Sequence, residues 1–334
     1  VGAGGQARDV RSARVVDART VVRTDERFGA GIPQAQTIRT LAREHLAPVT
    51  RDGTVAVVQG FVGATADGRT TTLGRGGSDF TAALLGGALD APLVHIWTDV
   101  DGVLSGDPGT VAHPRLLEEA GFEETVELAW CGARVLHPVA AKWAVSQGVP
   151  LRIRNTFRPE HPGTLVRNDR REAPRDDGGL AAVTAKPGVA LIAVRSRPWA
   201  MPYGFLARVF GVLGRHRLEV DLVATSHSST AFTIDASEEL GAVVEELEAF
   251  AEVRTRTGLT TVTVVGRGLL ARPRENARVF RTLEDIPIHL ISQASDVSVS
   301  LVVDEEHGQA AVRRLHQALL DDEEARRREE VRRA

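Results

Sequence analysis

The sequence predicts an α/β protein in two parts. The first is a mainly parallel sheet covered by helices on both faces; the second is a pair of ferredoxin-like units. Three observations predict this. Short β-branched apolar runs alternate with helix-length segments through the first half. A charged, proline- and glycine-rich stretch at 168–179 then interrupts the pattern. Beyond it the segments are shorter and follow the order strand, helix, strand, strand, helix, strand nearly twice over.

Taken in order, 54–61 (T-V-A-V-V-Q-G-F) reads as a buried strand closed by glycine, followed by a Gly/Thr-rich loop at 63–77. Ser78 or Asp79 is the expected cap of a helix through 82–88. A strand at 94–98, helices at 123–130 and 135–147, and a strand at 151–155 complete the first part, with Gly148 ending the second of those helices. The stretch 168–179 is the expected linker, which gives a first domain of 1–170 and a second of 180–334. In the second domain the expected strands are 188–195, 218–225, 229–235, 251–256, 259–266, 286–291 and 296–303. The expected helices are 204–216, 237–249, 273–283 and 305–320. One strand is lacking for two complete units. Insertion of the first unit (196–257) in the second (186–195 plus 258–322) accounts for it, with strand 188–195 belonging to the second. The charged tail, 321–334, reads as a solvated helix end.

The 334 residues are 43% apolar and 25% charged, with a net charge of −3, which supplies no electrostatic reason for nucleic acid or an anionic membrane as partner. No apolar run approaches the roughly 20 residues of a membrane helix. No basic region followed by an apolar run opens the chain, and Cys131 is its single cysteine, so a cytoplasmic location is expected. Of 41 basic side chains only Lys142 and Lys186 are lysines, so phosphate contacts must come mostly from arginine or backbone N–H groups.

Two segments carry candidate chemistry. In 70–79 (T-T-T-L-G-R-G-G-S-D), glycines at 74, 76 and 77 let the backbone approach a ligand, and the following helix N-terminus offers N–H groups to an anion. Arg75 supplies a fork for a carboxylate or phosphate, and Asp79 a partner for an ammonium. The same residues also suit a tight turn with a capping Asp and a solvated Arg. In 97–108 (W-T-D-V-D-G-V-L-S-G-D-P) three acids follow a strand's carboxyl end, where α/β sheets place ligands. They suit Mg²⁺ or a nucleotide's ribose and base, and equally a pair of Asp-Gly and Asp-Pro turns.

In combination these strings resemble the aspartate kinase family. The resemblance covers 57–166 almost throughout: G-F-V-G-A-T-A-D-G-R-T-T-T-L-G-R-G-G-S-D (60–79) looks like the family's substrate loop, W-T-D-V-D-G (97–102) its nucleotide loop, and G-A-R-V-L-H-P (132–138) a helix entry. Upstream, 19–29 resembles the single-function, lysine-inhibited members. The resemblance implies a carbamate-kinase-like fold and transfer of the ATP γ-phosphoryl group to the side-chain carboxylate of L-aspartate, with Mg²⁺. By position, Arg75 binds the substrate α-carboxylate, with Gly76, Gly77, Ser78 and Asp79 completing the pocket. Thr98, Asp99, Leu104, Gly109, Arg134 and Val135 line the nucleotide, and no residue is assigned to metal.

Some positions depart from the family pattern. The family's Lys-Phe-Gly-Gly strand, whose lysine stabilises the transferred phosphoryl group, is absent from these 334 residues, so no catalytic residue is assigned and little activity is expected of them alone. Leu104 stands in place of a Tyr near the adenine, Gly109 in place of an Arg, and Arg134 in place of a Lys. P-Y-G-F-L-A-R-V-F (202–210) and L-E-V-D-L-V-A-T-S (218–226) resemble the family's first ACT repeat, and S-Q-A-S-D-V-S-V-S (292–300) its second. This implies an amino-acid effector, lysine above all, at Gly204, Phe205, Leu206, Val220, Asp221, Ser226 and His227, and a homodimer formed through the ACT units. The helix-entry amides are expected to take the effector carboxylate and Asp221 its amine. His227, in place of a Glu, predicts weaker lysine binding. A non-catalytic amino-acid sensor and a kinase for another amino acid, such as glutamate, are the competing readings; the 74–79 string argues against the latter.

Overall fold

The computed structural model describes residues 12–51, 53–132, 136–167, 180–197, 203–236 and 240–321. The expected linker and the charged tail beyond 321 lie outside these. The chain forms two compact units, 1–104 with 115–129 and 133–173, and 105–114 with 130–132 and 174–334. A single boundary near 170 therefore does not describe the division. The segment 105–114 belongs with the second unit because Val111 is buried in that unit's core beside Leu180 and Leu315, and the Ser105 carbonyl accepts a hydrogen bond from the Val183 N–H.

In the first unit, β1 (Ala13–Val16) and β2 (Val55–Val58) pair in parallel, and β3 (Val62–Ala64) and β4 (Thr70–Thr72) form an antiparallel hairpin. The expected strand 54–61 thus stops at Val58, since Phe61 has φ +73° and turns the chain out of extension. Part of the expected loop at 63–77 is the hairpin. Helices α1 (Ala35–His45), the short α2 (Ala47–Thr50) and α3 (Gly77–Ala88) are followed by β5 (Val94–Thr98), β6 (Glu119–Gly121), α4 (Phe122–Trp130), α5 (Pro138–Gln147), β7 (Leu151–Asn155) and β8 (Thr164–Arg167). These last four strands form one sheet in the order β5-β7-β8-β6. Its outer pairs are parallel, as expected, but β7 and β8 are antiparallel. The connection between them is too short for a crossover helix. It closes at Gly163 (φ +70°), where an added Cβ would lie 1.9 Å from the Ile153 carbonyl oxygen. Helix α5 starts at Pro138, three residues later than expected, with His137 as its N-cap, and ends at Gly148 in the left-handed conformation.

The second unit is built on one six-stranded antiparallel sheet of order β10-β11-β9-β12-β14-β13. Its elements are β9 (Leu180–Ser196), α6 (Phe205–Arg215), β10 (Val223–Thr225), β11 (Ser229–Asp235), α7 (Leu240–Glu248), β12 (Ala251–Gly266), α8 (Pro273–Thr282), β13 (Ile288–Ser295), β14 (Ser298–Asp304) and α9 (Glu305–His316). The expected separate strands 251–256 and 259–266 are one strand with a register shift between Arg256 and Leu259. Strand β9 likewise runs 17 residues. Its 189–195 portion pairs with β11, and 191–196 pairs with 251–256, whereas 180–187 pairs with 260–266. The assignment of 188–195 to the second ferredoxin-like unit is therefore corrected: those residues belong to the first, and the segment N-terminal to them supplies the second unit's strand. The glycines Gly188 (φ +70°) and Gly258 (φ +67°) lie at the change of register, a conformation L-residues rarely adopt.

Two cores follow from this division. One gathers Ile192, Val209, Leu213, Phe232 and Leu247, the other Val183, Val262, Leu269, Val279 and Leu315. Leu259, fully buried with Val189, Leu290 and Val302, packs where the long strands change partners. We expect Leu259→Ala to destabilise the protein by about 2–5 kcal/mol, through lost burial and the cavity left behind. Urea unfolding should show the midpoint falling; an unchanged midpoint would mean that this joint relaxes at no cost.

Candidate functional site

The substrate-like loop is held by steric requirements. Gly74 (φ +76°) and Gly76 (φ +65°) both occupy the left-handed region, and Gly76 caps α3 with no side-chain hydrogen bond. The helix thus starts at Gly77, without the expected Ser78 or Asp79 cap. A Cβ on Gly76 would lie 2.1 Å from His137 Cγ, and one on Gly77 2.6 Å from the Phe61 ring. The backbone at the α3 N-terminus is consequently approached by the His137 imidazole and the Phe61 ring edge. Phe61 is itself tied to the helix, its N–H donating to Thr81 Oγ1 at 3.0 Å. Arg75 and Ser78 are exposed and Asp79 is half-buried. Among the described residues no acidic side chain pairs with Arg75 at ion-pair distance. Burial pushes the Asp79 carboxyl pKa up, while the His137 backbone N–H and the His137 charge pull it back only in part.

The acidic loop divides its carboxylates among different tasks. Asp101 accepts from Asn155 Nδ2 at 2.8 Å and pairs with Arg158 at 2.5 Å. Asp107 accepts the Gly109 N–H at 3.0 Å and so closes its own turn. Asp99 is exposed at the end of β5 and accepts the Thr98 hydroxyl at 3.2 Å. Thr98, Asp99 and Leu104 belong to the first unit; Gly109 belongs to the second. Arg134 and Val135 lie outside the described residues. A cleft lined by Arg14, Val16, Arg19, Arg23, Leu41 and His45 shares none of the expected site residues.

The expected effector residues fall into two groups. Gly204 (φ +79°) caps α6, and Phe205 packs edge-on against Phe250 at 6.4 Å. This places the α6 N-terminus at the end of the sheet where Ala251 pairs with Ser196 and the Ser196 N–H bonds the Ser228 carbonyl. Exposed Leu206 is on the first turn of α6, and Ser226 and His227 are in the β10–β11 turn at that same end, Ser226 bonding Ser229 at 2.7 Å. Asp221 is at the opposite end: its N–H bonds the Thr233 carbonyl, and Val220 precedes it against the core of α6. About 16 Å of extended chain separates Asp221 from Ser226, at roughly 3.3 Å per residue. The carboxylate and ammonium of one amino acid share a single α-carbon, so the expectation that the α6 amides and Asp221 of one chain grip the same molecule is corrected. Asp221 is also occupied: both its oxygens accept from Lys186 Nζ, at 3.0 and 2.8 Å, and Asp235 pairs with the same ammonium at 2.9 Å.

Comparison with known proteins identifies the family. The amino acid kinase family model matches residues 6–155 and an ACT domain model matches 262–319. The lysine-sensitive aspartokinase 3 of Escherichia coli is 37% identical over 323 residues, covering 94% of this chain and 71% of that protein. The chain belongs to the aspartokinase family. An aspartokinase of Thermus thermophilus is 34% identical, across 89% of this chain and 74% of its own. Two crystal structures of the E. coli aspartokinase III resemble the present one. The complex with aspartate and ADP (R-state) matches with a TM-score of 0.82 at 37% identity, covering 92% of this chain and 70% of that one. The complex with lysine and aspartate (T-state) matches at 0.75 and 36%, covering 92% and 69%.

In this aspartokinase chain, sequence reasoning missed Phe61, His137 and Lys186 as neighbours of the candidate sites. A His-Pro pair opening a helix was the available signal for His137; Lys186 stood out as one of two lysines. Asp79 yields a pH test. Its pKa is raised in the folded state, so folding favours the protonated form, and the group costs stability as pH rises past the ordinary carboxylate range near about 4. Asp79→Asn should therefore raise the melting temperature at pH 7, with the gain vanishing as pH falls below that range. A gain equal at all pH values would contradict the burial argument.

Proposed function

We propose that this chain carries the substrate-binding and regulatory parts of an aspartate kinase, a phosphotransferase acting on ATP and L-aspartate to form ADP and 4-phospho-L-aspartate, in the cytoplasm. The observation that carries the reading is the 73–79 loop. It combines a helix N-terminus without a side-chain cap, an exposed Arg75 and a half-buried Asp79 within a few residues. Those three groups complement the two carboxylates and the ammonium of aspartate. Arg75 takes the α-carboxylate as a fork, Asp79 the α-ammonium, and Ser78 with the Gly76–Gly77 backbone completes the pocket.

Phosphoryl transfer asks the protein mainly for positioning and charge neutralisation. Thr98 and Asp99, at the carboxyl end of β5, stand where an α/β sheet receives a nucleotide. Mg²⁺, when bound, neutralises charge on the phosphates. Asp99 fits it as a single carboxylate ligand, because Mg²⁺ in such sites relies mostly on phosphate oxygens and water. Asp101 is held by Asn155 and Arg158 and shapes the loop.

The ACT region is proposed to bind an amino acid, lysine being favoured by the lysine complex of the E. coli relative. The separation of Gly204–Leu206 from Asp221 within one chain supports a homodimer in which one chain's α6 entry meets the other's Asp221. In that arrangement the effector's opposite charges find partners on two copies.

Arg75→Ala should lower kcat/KM for aspartate by about tenfold to a hundredfold, the equivalent of one charge-assisted contact of roughly 1.5–3 kcal/mol. The KM for ATP should change little. Aspartate-dependent ADP release measures both. Collapse of ATP affinity with aspartate use intact would assign Arg75 to the other substrate.

A further inference from the structure

The charged group nearest the proposed effector amine position is the chain's own ammonium. Lys186 lies on β9 two residues before Gly188, in the half of the strand that pairs with 260–266, opposite Thr261. Asp221 and Asp235 belong to the other half: Asp221 is bonded through its N–H to Thr233, and Asp235 pairs with Val189. The three side chains meet across the kink. Asp221 is 19% exposed, Lys186 25% and Asp235 73%.

We propose that Lys186 is the resident counter-ion of the effector site, and that an amino-acid effector binds by replacing its ammonium on Asp221. This rests on the reading that Asp221 receives an effector ammonium. The exchange is ammonium for ammonium, so it leaves the hydrogen bonds of Asp221 satisfied in both states. Lys186 engages both oxygens of Asp221, so a second cation cannot take that position while the pair is closed. Release does not strand it, because Asp235, largely in solvent, still holds it at 2.9 Å.

The residue type suits displacement. This chain uses arginine at all but two of its 41 basic positions, yet places a lysine here. A guanidinium fork would clamp the carboxylate with two directed bonds, whereas an ammonium is a point charge on a flexible stem that swings between Asp221 and Asp235. Being tethered, Lys186 competes at an effective concentration of about millimolar or above, and this sets the effector concentration required. The exchange also has a mechanical consequence. The Lys186–Asp221 pair joins the two halves of the sheet across Gly188, and an effector that takes Asp221 opens that clasp at the joint between the two ferredoxin-like units.

Calorimetric titration of the 334-residue protein with L-lysine tests this, comparing wild type with Lys186→Gln and Lys186→Arg. Removing the resident charge should tighten lysine binding about tenfold in Lys186→Gln. Lys186→Arg, which keeps a cation in place, should bind no more tightly than wild type. Wild-type binding with no tightening in Lys186→Gln, or equal tightening in both variants, would overturn the counter-ion role and leave the effector site standing. Absence of heat in wild type and both variants would overturn the effector reading and this proposal together. Binding that appears only in Lys186→Gln supports both.

Discussion

The antiparallel pairing of β9 with β12 is the constraint on which the second unit depends. These two strands run beside each other from Leu180 and Gly266 at one end to Ser196 and Ala251 at the other. Each contributes to two cores, because the register shifts near Gly188 and Gly258 let a single strand pair serve two ferredoxin-like units. Every helix of the unit packs on a face this pair establishes. Strands β11 and β14 flank it on either side, leaving β10 and β13 as edges. The insertion of one unit in the other is the chain-level consequence of having two continuous strands at the centre where three short ones were expected.

In the first unit the corresponding constraint is steric. Gly76 and Gly77 are open backbone at the start of α3 because the His137 and Phe61 side chains occupy the space their Cβ atoms would need. A loop held this way keeps a fixed backbone without a capping side chain, the Gly77 N–H donating to the Gly74 carbonyl at 3.1 Å. Phe61 has a positive φ that an aromatic residue rarely adopts, a backbone cost that the Thr81 and Leu73 hydrogen bonds to its main chain help to offset. Strain at this position accords with a site where geometry matters more than local comfort.

Charges in the two candidate sites follow a common logic. Asp101 and Asp107 are consumed by the fold, one pinning a loop to Arg158 and the other closing a turn. Among the described residues Asp79 accepts only the His137 backbone N–H and Asp99 only the neighbouring Thr98 hydroxyl, and Arg75 is exposed; these are the groups proposed above to meet ligands. Asp221 stands between these cases, satisfied internally by a group chemically equivalent to the ligand it is proposed to bind. A carboxylate that is mostly buried cannot wait without a cation at little cost, and a tethered lysine removes that cost while keeping the position exchangeable.

Much of this was legible in the amino-acid sequence. Strands 94–98, 151–155 and 229–235 lie where their apolar patterns predicted, since these runs are short, β-branched and bounded by turns. The Gly-Arg-Gly-Gly-Ser-Asp string pointed to the aspartokinase family, and its glycines at 74 and 76 occupy a conformation that excludes most other residues. What tertiary structure decided was long-range. Which half of β9 belongs to which unit depends on register with strands dozens of residues away. The cap of α3 depends on His137, far along the chain, lying against Gly76. Asp221 and the α6 entry read as neighbours in a linear motif, yet a helix and a reversed strand carry them to opposite ends of the sheet. Local pattern reports the conformation a segment prefers; only the packed chain determines which distant charge, such as Lys186, arrives beside it.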